Sequence, residues 1–414
     1  FAVLDAEGNL TNDDHEGGVR VAERIGMNLE REFAERPEVL VWYDSPELES
    51  EHHVTIGVAG SPPLEAKSPA ELAEELNADM VIYGEAEPAG ATSDLTLRFY
   101  LRPQFGADFS QMVGNHEFKT AIPVFDASDP AEEVWRNLDP LASALAWLTL
   151  GLRQEILGEQ NQAVQSFEEA ATFAPDSDVI QYFIGQEYFY RAQASESPAT
   201  EDLASAGTAF AESLRLNPDN PRARIGQGAV HFVTAQRMLN EARNLPDGDE
   251  KTAALEAVRQ EAQAALEAYD PIVSGPEQIE EYGVPVAGIA RQGRGISLRI
   301  LAEVAYFLGN PTEAETHIDQ AIAALEDNVP QLVTANDPRL AAQSYQALGS
   351  FYEWKSFLLM ERGATDSAAA ARETALSYYN DCVQQGEDFP FDTYLVDRIV
   401  GRLCVPRVAS LQQG

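Results

Sequence analysis

Residues 145 to 175 constrain this chain more than any other stretch. They read Trp147-Leu148-Thr149-Leu150-Gly151, then Gly158, then Ala163, Phe167 and Ala170, and they end on Pro175. The spacing predicts two helices joined by a short turn. Gly151, without a side chain, lets the second helix approach the first; Ala163 and Ala170 give that helix a small face, and Phe167 fills the space between them. Gly158 breaks the pair, and Pro175 ends the second helix and opens the next unit. One such hairpin cannot bury its own apolar face, so the pattern demands stacked neighbours.

These residues resemble the tetratricopeptide repeat (TPR) signature W-x₂-L-G…A-x₃-F…P at every diagnostic position except the aromatic one, where Gln154 stands. Gly185 follows Gly151 by 34 residues, the period of that family. Ile184-Gly185 and Tyr188 repeat the first-helix pattern, and Ala206, Phe210 and Pro218 the second, with Gln193–Asp202 inserted as an exposed loop. A divergent third unit opens at Pro221, with helices over roughly 222–244 and 251–269. A fourth carries Leu298, Leu301, the turn Gly309-Asn310-Pro311, then Ala314, Ile318 and Ala321. A fifth carries Tyr345, Leu348-Gly349, Tyr352, Ala375, Tyr379 and Cys382, and Asp392–Val405 is expected to cap the last apolar face.

Between the third and fourth units, Asp270–Gly295 holds Pro271, Gly275-Pro276, Gly283, Pro285, Gly288, Gly293 and Gly295. So many breakers predict an irregular insertion, and such insertions frequently sit on a functional face. Arg291, Arg294 and Arg299 gather there in an otherwise acidic chain. Either they mark a functional face or they pair with neighbouring carboxylates.

Before the repeats, strand and helix signals alternate. Phe1–Leu4 is short and apolar, and reads as the middle of a strand, so an upstream signal or anchor is expected. Val19, Ala22, Ile25, Leu29 and Phe33 recur at helical spacing over 18–34. Val39–Tyr43 is a continuous apolar run of strand length, and His52–Val58 a weaker strand candidate. Ser68-Pro69-Ala70-Glu71 is a helix start, with serine as cap and glutamate three residues on. Asp79–Gly84 follows as a buried strand, and Leu95–Leu101 alternates like an edge or half-exposed one. This order, with the step Ala78-Asp79-Met80-Val81-Ile82-Tyr83-Gly84, resembles the amino-terminal domain of TolB and related bacterial envelope proteins, which implies a non-catalytic docking module. The fold class is therefore α+β: a small α/β domain over 1–125, a connector over 126–139 that Trp135 packs onto the first repeat, and an all-α, TPR-like superhelical solenoid with a capping helix over 140–408.

Charge narrows the partners. The chain carries 28 Lys+Arg against 68 Asp+Glu, a net charge of −40. Such a surface repels nucleic acid and anionic lipid, so neither is expected as a partner. Either it is a solvated, repulsive surface, or it reflects multivalent cations or a salt-adapted organism. No apolar run reaches the ~18 residues of a membrane span. The two cysteines, Cys382 and Cys404, are either a disulfide or two separate buried thiols; a disulfide places the protein outside the reducing cytoplasm, periplasmic or on the cell surface, with the cytoplasm as the alternative.

Catalytic signatures are missing: no G-x-S-x-G, Walker loop, G-x-G-x-x-G behind a strand or H-E-x-x-H. Neither a metal nor a cofactor is expected, although Asp13-Asp14-His15 and Asp247-Gly248-Asp249-Glu250 are weak calcium candidates. In a TPR stack the first helix of each pair lines the concave side. The resemblance therefore assigns Leu148, Tyr182, Gln186, Tyr190, Phe232, Arg299, Glu303, Tyr306, Gln346 and Trp354 to a groove for a protein or peptide partner, unless they pack between repeats instead. The lysine and asparagine clamp of chaperone-binding TPR domains has no counterpart among these residues. The sequence thus predicts a non-enzymatic scaffold or adaptor, with a self-associating structural subunit, a homo-oligomer, as the alternative and a hydrolase or ligand-binding protein third.

Overall fold

The structure, a computed structural model, describes residues 2–3, 15–34, 41, 68–89, 92–102, 112–123, 132–194, 200–276, 286–334 and 337–413. The chain forms two compact units. One comprises Phe1–Gln104, Phe109–Arg191 and Glu212–Asp219, the other Phe105–Asp108, Ala192–Ala211 and Asn220–Gly414. The architecture is a small α/β region and an all-α, TPR-like solenoid, as the sequence predicts.

In the first unit, strand β1 (Ala2–Val3) pairs in parallel with β2 (Met80–Ala89), and β3 (Thr92–Leu101) and β4 (Gly114–Pro123) follow as an antiparallel meander. Helix α1 (His15–Glu32) carries the expected stripe: Ile25 and Leu29 are buried, with Phe33 just beyond it. Helix α2 (Pro69–Glu75) opens on a capping box, in which the Glu71 N–H donates to Ser68 Oγ at 3.2 Å and the Ser68 N–H to Glu71 Oε2 at 2.8 Å. Along β3, Leu97, Phe99 and Leu101 are buried while Thr96, Arg98 and Tyr100 are half-exposed. Its alternation reflects one covered face, but β3 is no edge strand. It lies between β2 and β4, and β4, whose run Asn115–Phe118 also alternates, was not anticipated from the sequence. The expected strand at His52–Val58, most of that at Val39–Tyr43, the Trp135 side chain and the acidic residues 13 and 14 lie outside the described residues.

Helices α3 (Glu132–Ile156) and α4 (Gln160–Phe173) form the first hairpin. Phe167 is fully buried between them, and a Cβ on Gly151 would stand only 2.6 Å from its Cδ1, so this site admits no side chain. Gly158 turns the chain with φ 75°, the left-handed region that favours glycine. Arg24 and Asn28 of α1 donate to the Asp139 carboxylate of α3 at 2.6 to 2.8 Å, joining the amino-terminal helix to the repeats. Helices α5 (Asp178–Ala194) and α6 (Thr200–Leu216) follow.

The second unit contains three further hairpins: α7 (Pro221–Arg243) with α8 (Asp249–Val273), α9 (Val286–Phe307) with α10 (Pro311–Glu326), and, after the short α11 (Val329–Thr334), α12 (Pro338–Glu361) with α13 (Thr365–Asp388). Of the irregular insertion expected over 270–295, the described residues are mostly helical, and 277–285, with Gly283 and Pro285, lie outside the described residues. α8 runs through Pro271 to Val273, and α9 starts at Val286 with Gly288, Gly293 and Gly295 inside it. Packing explains Gly293. The fully buried Tyr269 ring lies against Gly228 of α7 and Gly293 of α9, so close that a Cβ on either would fall within 2.7 Å of its Cε1. Three helices close around one ring, and that contact outweighs the ~1 kcal/mol that glycine costs a helix interior.

At the C-terminus, Leu395–Cys404 winds as a π-helix, with the Val405 N–H donating to Val400 O, before α14 (Val405–Gln413). Leu395, Ile399, Val400 and Cys404 cover Ala342, Ala375, Tyr379 and Cys382. A disulfide joins Cys382 to Cys404, with Cα atoms 6.3 Å apart. Asp392 fixes the entry to the cap, accepting from Arg339 Nε at 2.7 Å and Nη2 at 2.9 Å and from the Leu395 N–H at 3.0 Å.

Candidate interaction face

Four groove candidates lie in the first unit, and three of them are covered. Leu148, Tyr182 and Gln186 are at most 1% exposed, so they present no surface to a partner. The amino-terminal sheet is what covers α5. His116 of β4 stacks on Phe99 of β3 at 4.9 Å between ring centroids and meets Phe183 of α5 at the same distance, and Tyr182 stands 6.3 Å from His116. Gln186 is spent on the Tyr182 hydroxyl at 2.9 Å. Only Tyr190, half-buried beside Phe189, reaches the surface.

In the second unit the first helices of successive hairpins align their stripes. Arg299 of α9 lies within 2.5 Å of Glu303 one turn on, and its Nη2 donates to Gln236 of α7 at 3.2 Å. Arg243, in the last turn of α7, also meets Glu303. Glu303 is fully buried, which corrects its assignment as a groove contact: it serves as counter-ion to the two arginines. Burial, reinforced by the charge of Arg243, pushes the Arg299 guanidinium down to about 10, and burial lowers Arg243 as well.

One turn beyond Glu303 an aromatic cluster opens to solvent. Tyr306 lies edge-on to Trp354 of α12 at 5.9 Å and to Phe357 at 5.2 Å, and Trp354 meets Phe357 at 5.4 Å. Phe307, beside Tyr306, lies under the Arg243 guanidinium at 5.4 Å. Phe307 and Phe357 are 37% and 41% exposed, and Met360 at the end of α12 54%. Of the assigned residues the structure therefore brings together Arg299, Glu303, Tyr306 and Trp354. Phe232 and Gln346 lie half-buried on α7 and α12, Phe232 on the same core as Tyr306 and Trp354. Arg243, Phe307, Phe357 and Met360 were missed. The i+3 spacing of Phe357 from Trp354 and the adjacency of Phe307 to Tyr306 were signals available for two of them.

The other arginines of the expected cationic cluster have neighbours of their own: Arg294 pairs with Asp270 at 2.9 Å, and Arg291 donates to Gln331 at 2.6 Å. Asp247, proposed for calcium, takes Lys251 at 2.9 Å. No helix among the described residues is long and apolar enough to cross a membrane.

No family model matches the chain, and no curated relative does. Among solved structures, the thermophilic TPR protein TTC0263 of Thermus thermophilus is 17% identical, with a TM-score of 0.34 over 66% of this chain and 100% of that one. The MamA protein is 12% identical, with a TM-score of 0.33 over 58% and 94%. PilW, a type IV pilus biogenesis factor, is 17% identical, with a TM-score of 0.27 over 61% and 96%. TM-scores this low carry no weight for function, and the repeat character rests on the chain's own hairpins.

Proposed function

We propose that the chain is a non-enzymatic protein-interaction scaffold that binds a partner segment on the face of α7, α9 and α12. The observation that carries this is the cluster of Tyr306, Phe307, Trp354 and Phe357, which leaves large aromatic surface in water at the place where first helices meet. Aromatic side chains of this kind are the usual anchors of an interface. Displayed random peptides offered to the full chain test the reading: binders are expected at micromolar Kd, and Trp354→Ala and Phe357→Ala each weaken them about tenfold or more. Binding that ignores both substitutions refutes it. Light scattering across concentration addresses the self-associating alternative, since growth into large regular species favours a structural subunit over an adaptor.

An extracytoplasmic location belongs to the same proposal, supported by the Cys382–Cys404 disulfide. Alkylation of protein as it leaves the cell checks it, because two free thiols place the chain in a reducing compartment. For the amino-terminal region we propose the docking role that its TolB-like order of elements suggests, supported by the parallel pairing of β1 and β2 around α1 and α2.

A further inference from the structure

The polar set beneath the aromatic cluster is not balanced in charge. Arg243 and Arg299 converge on one carboxylate, Glu303. Arg299 also donates to the neutral Gln236 side chain at 3.2 Å and lies near the Tyr379 hydroxyl. Arg243 also lies over the Phe307 ring, and its Nε is buried without a hydrogen-bond partner among the described residues. Glu353 of α12 is already engaged, by the Tyr379 hydroxyl at 2.9 Å and Arg407 at 4.0 Å. The arginine side chains keep 34% and 22% of their surface, so both still reach solvent. In a chain of net charge −40, a surplus of positive charge beside an aromatic cluster is a local exception.

We propose that this face takes a partner-protein segment whose apolar side chain seats on Tyr306, Phe307, Trp354 and Phe357, and whose internal Asp or Glu pairs with Arg243 and Arg299. The inference deepens the scaffold reading above and rests on it. Spacing follows from α9 itself. Glu303, where the arginines converge, precedes Tyr306 and Phe307 by one turn, about 5 Å, and a helical segment spans that with residues three or four apart. The guanidinium fork suits a carboxylate at two oxygens, and sheltered arginine–carboxylate pairs are among the stronger polar contacts. One acid is the complement, because the field of the whole chain opposes a segment carrying many.

Short random peptides displayed on phage are selected on the full chain and on its Arg243→Gln, Arg243→Lys and Phe357→Ala forms. Binders of the native chain are expected to carry Asp or Glu three or four residues from an aromatic or aliphatic anchor. Exchange of that acid for its amide in a synthetic peptide raises Kd about tenfold. The acid preference persists on Arg243→Lys and disappears on Arg243→Gln, while the apolar anchor is retained on both. Binders without an acid preference, or with lysine or arginine in its place, overturn the inference and leave the scaffold reading standing. Binders indifferent to Phe357→Ala overturn both. Selected sequences that copy segments of this chain, together with mass that grows with concentration, overturn it in favour of a second copy. Should Arg243→Gln fail to fold, the acid-to-amide exchange on the native chain decides alone.

Discussion

Glu187 offers the sharpest test of the packing in the first unit. It lies on α5 at 0% exposure, and its nearest titrating partner is another carboxylate, Glu155 of α3. Apart from that neighbouring carboxyl, no donor among the described residues meets either Glu187 oxygen. Burial first, then the hydrogen bond and charge of Glu155, push Glu187 from its ordinary 4.5 up to about 10, against a smaller opposing effect of Arg191. At neutral pH the folded pair therefore shares a proton that the unfolded chain has released. The folded state binds more protons than the unfolded one between the two pKa values, so stability falls as pH rises across that window. One proton corresponds to about 1.4 kcal/mol per pH unit, which sets a ceiling of ~3 kcal/mol lost between pH 6 and pH 8. Glu187→Gln keeps the shape and removes the proton uptake. The variant should be more stable than the native chain by ~2 kcal/mol at pH 8 and nearly equal to it at pH 5. Urea unfolding of both proteins across pH, followed by tryptophan fluorescence and circular dichroism, measures the difference. Because one proton serves two carboxylates, Glu155→Gln in the Glu187→Gln background should add little. Parallel pH profiles for native and variant chains would show that the pair is ionised and solvated, and the reasoning would be wrong.

Other consequences can be checked in the same way. Gly151→Ala should destabilise by about 1–2 kcal/mol, because overpacking against Phe167 exceeds the gain in helix propensity, whereas Gly207→Ala, whose Cβ would lie 3.6 Å from Val230 Cγ1, should stabilise by ~0.5–1 kcal/mol. Thermal melts that show both substitutions stabilising would refute the close approach. Cys404→Ala should cost ~3 kcal/mol for the 22-residue separation that the disulfide closes, visible as early hydrogen exchange in α13 and the π-helix. Asp392→Asn should cost ~2 kcal/mol. Burial alone would raise Asp392, but the Arg339 guanidinium and the Leu395 N–H hold it below its ordinary value, so its contribution is present above pH ~4 and is lost as pH falls through the folded pKa. Acid titration of the C-terminal transition, native against variant, checks the sign.

How far the sequence reaches depends on the range of the contact that gives a residue its role. Gly151 and Phe167 sit on one hairpin, and their spacing suffices to predict that a ring fills the place of a missing side chain. Ser68, Pro69 and Glu71 make their cap within a single turn, and it too was legible. Tyr182 and Gln186 were misassigned because their repeat position says only that they point away from the hairpin. What meets Tyr182 there is His116 of β4, a strand whose pairing is fixed far upstream in the chain, and Gln186 turns to the Tyr182 hydroxyl. Glycines mislead for a related reason. Gly288, Gly293 and Gly295 break a helix in isolation, and at Gly293 only the Tyr269 ring, supplied by the preceding helix, explains why no side chain stands there. Reading that stretch as a loop also hid the partner of Glu303. Once 286–307 is a helix of the stack, Arg243 at the end of α7 falls opposite Glu303, and Arg299 and Glu303, expected only as separate groove contacts, become with it two cations around one acid. The surplus charge, and the carboxylate-bearing segment that we propose answers it, is therefore a property of the register between α7 and α9, which composition and motif spacing do not encode.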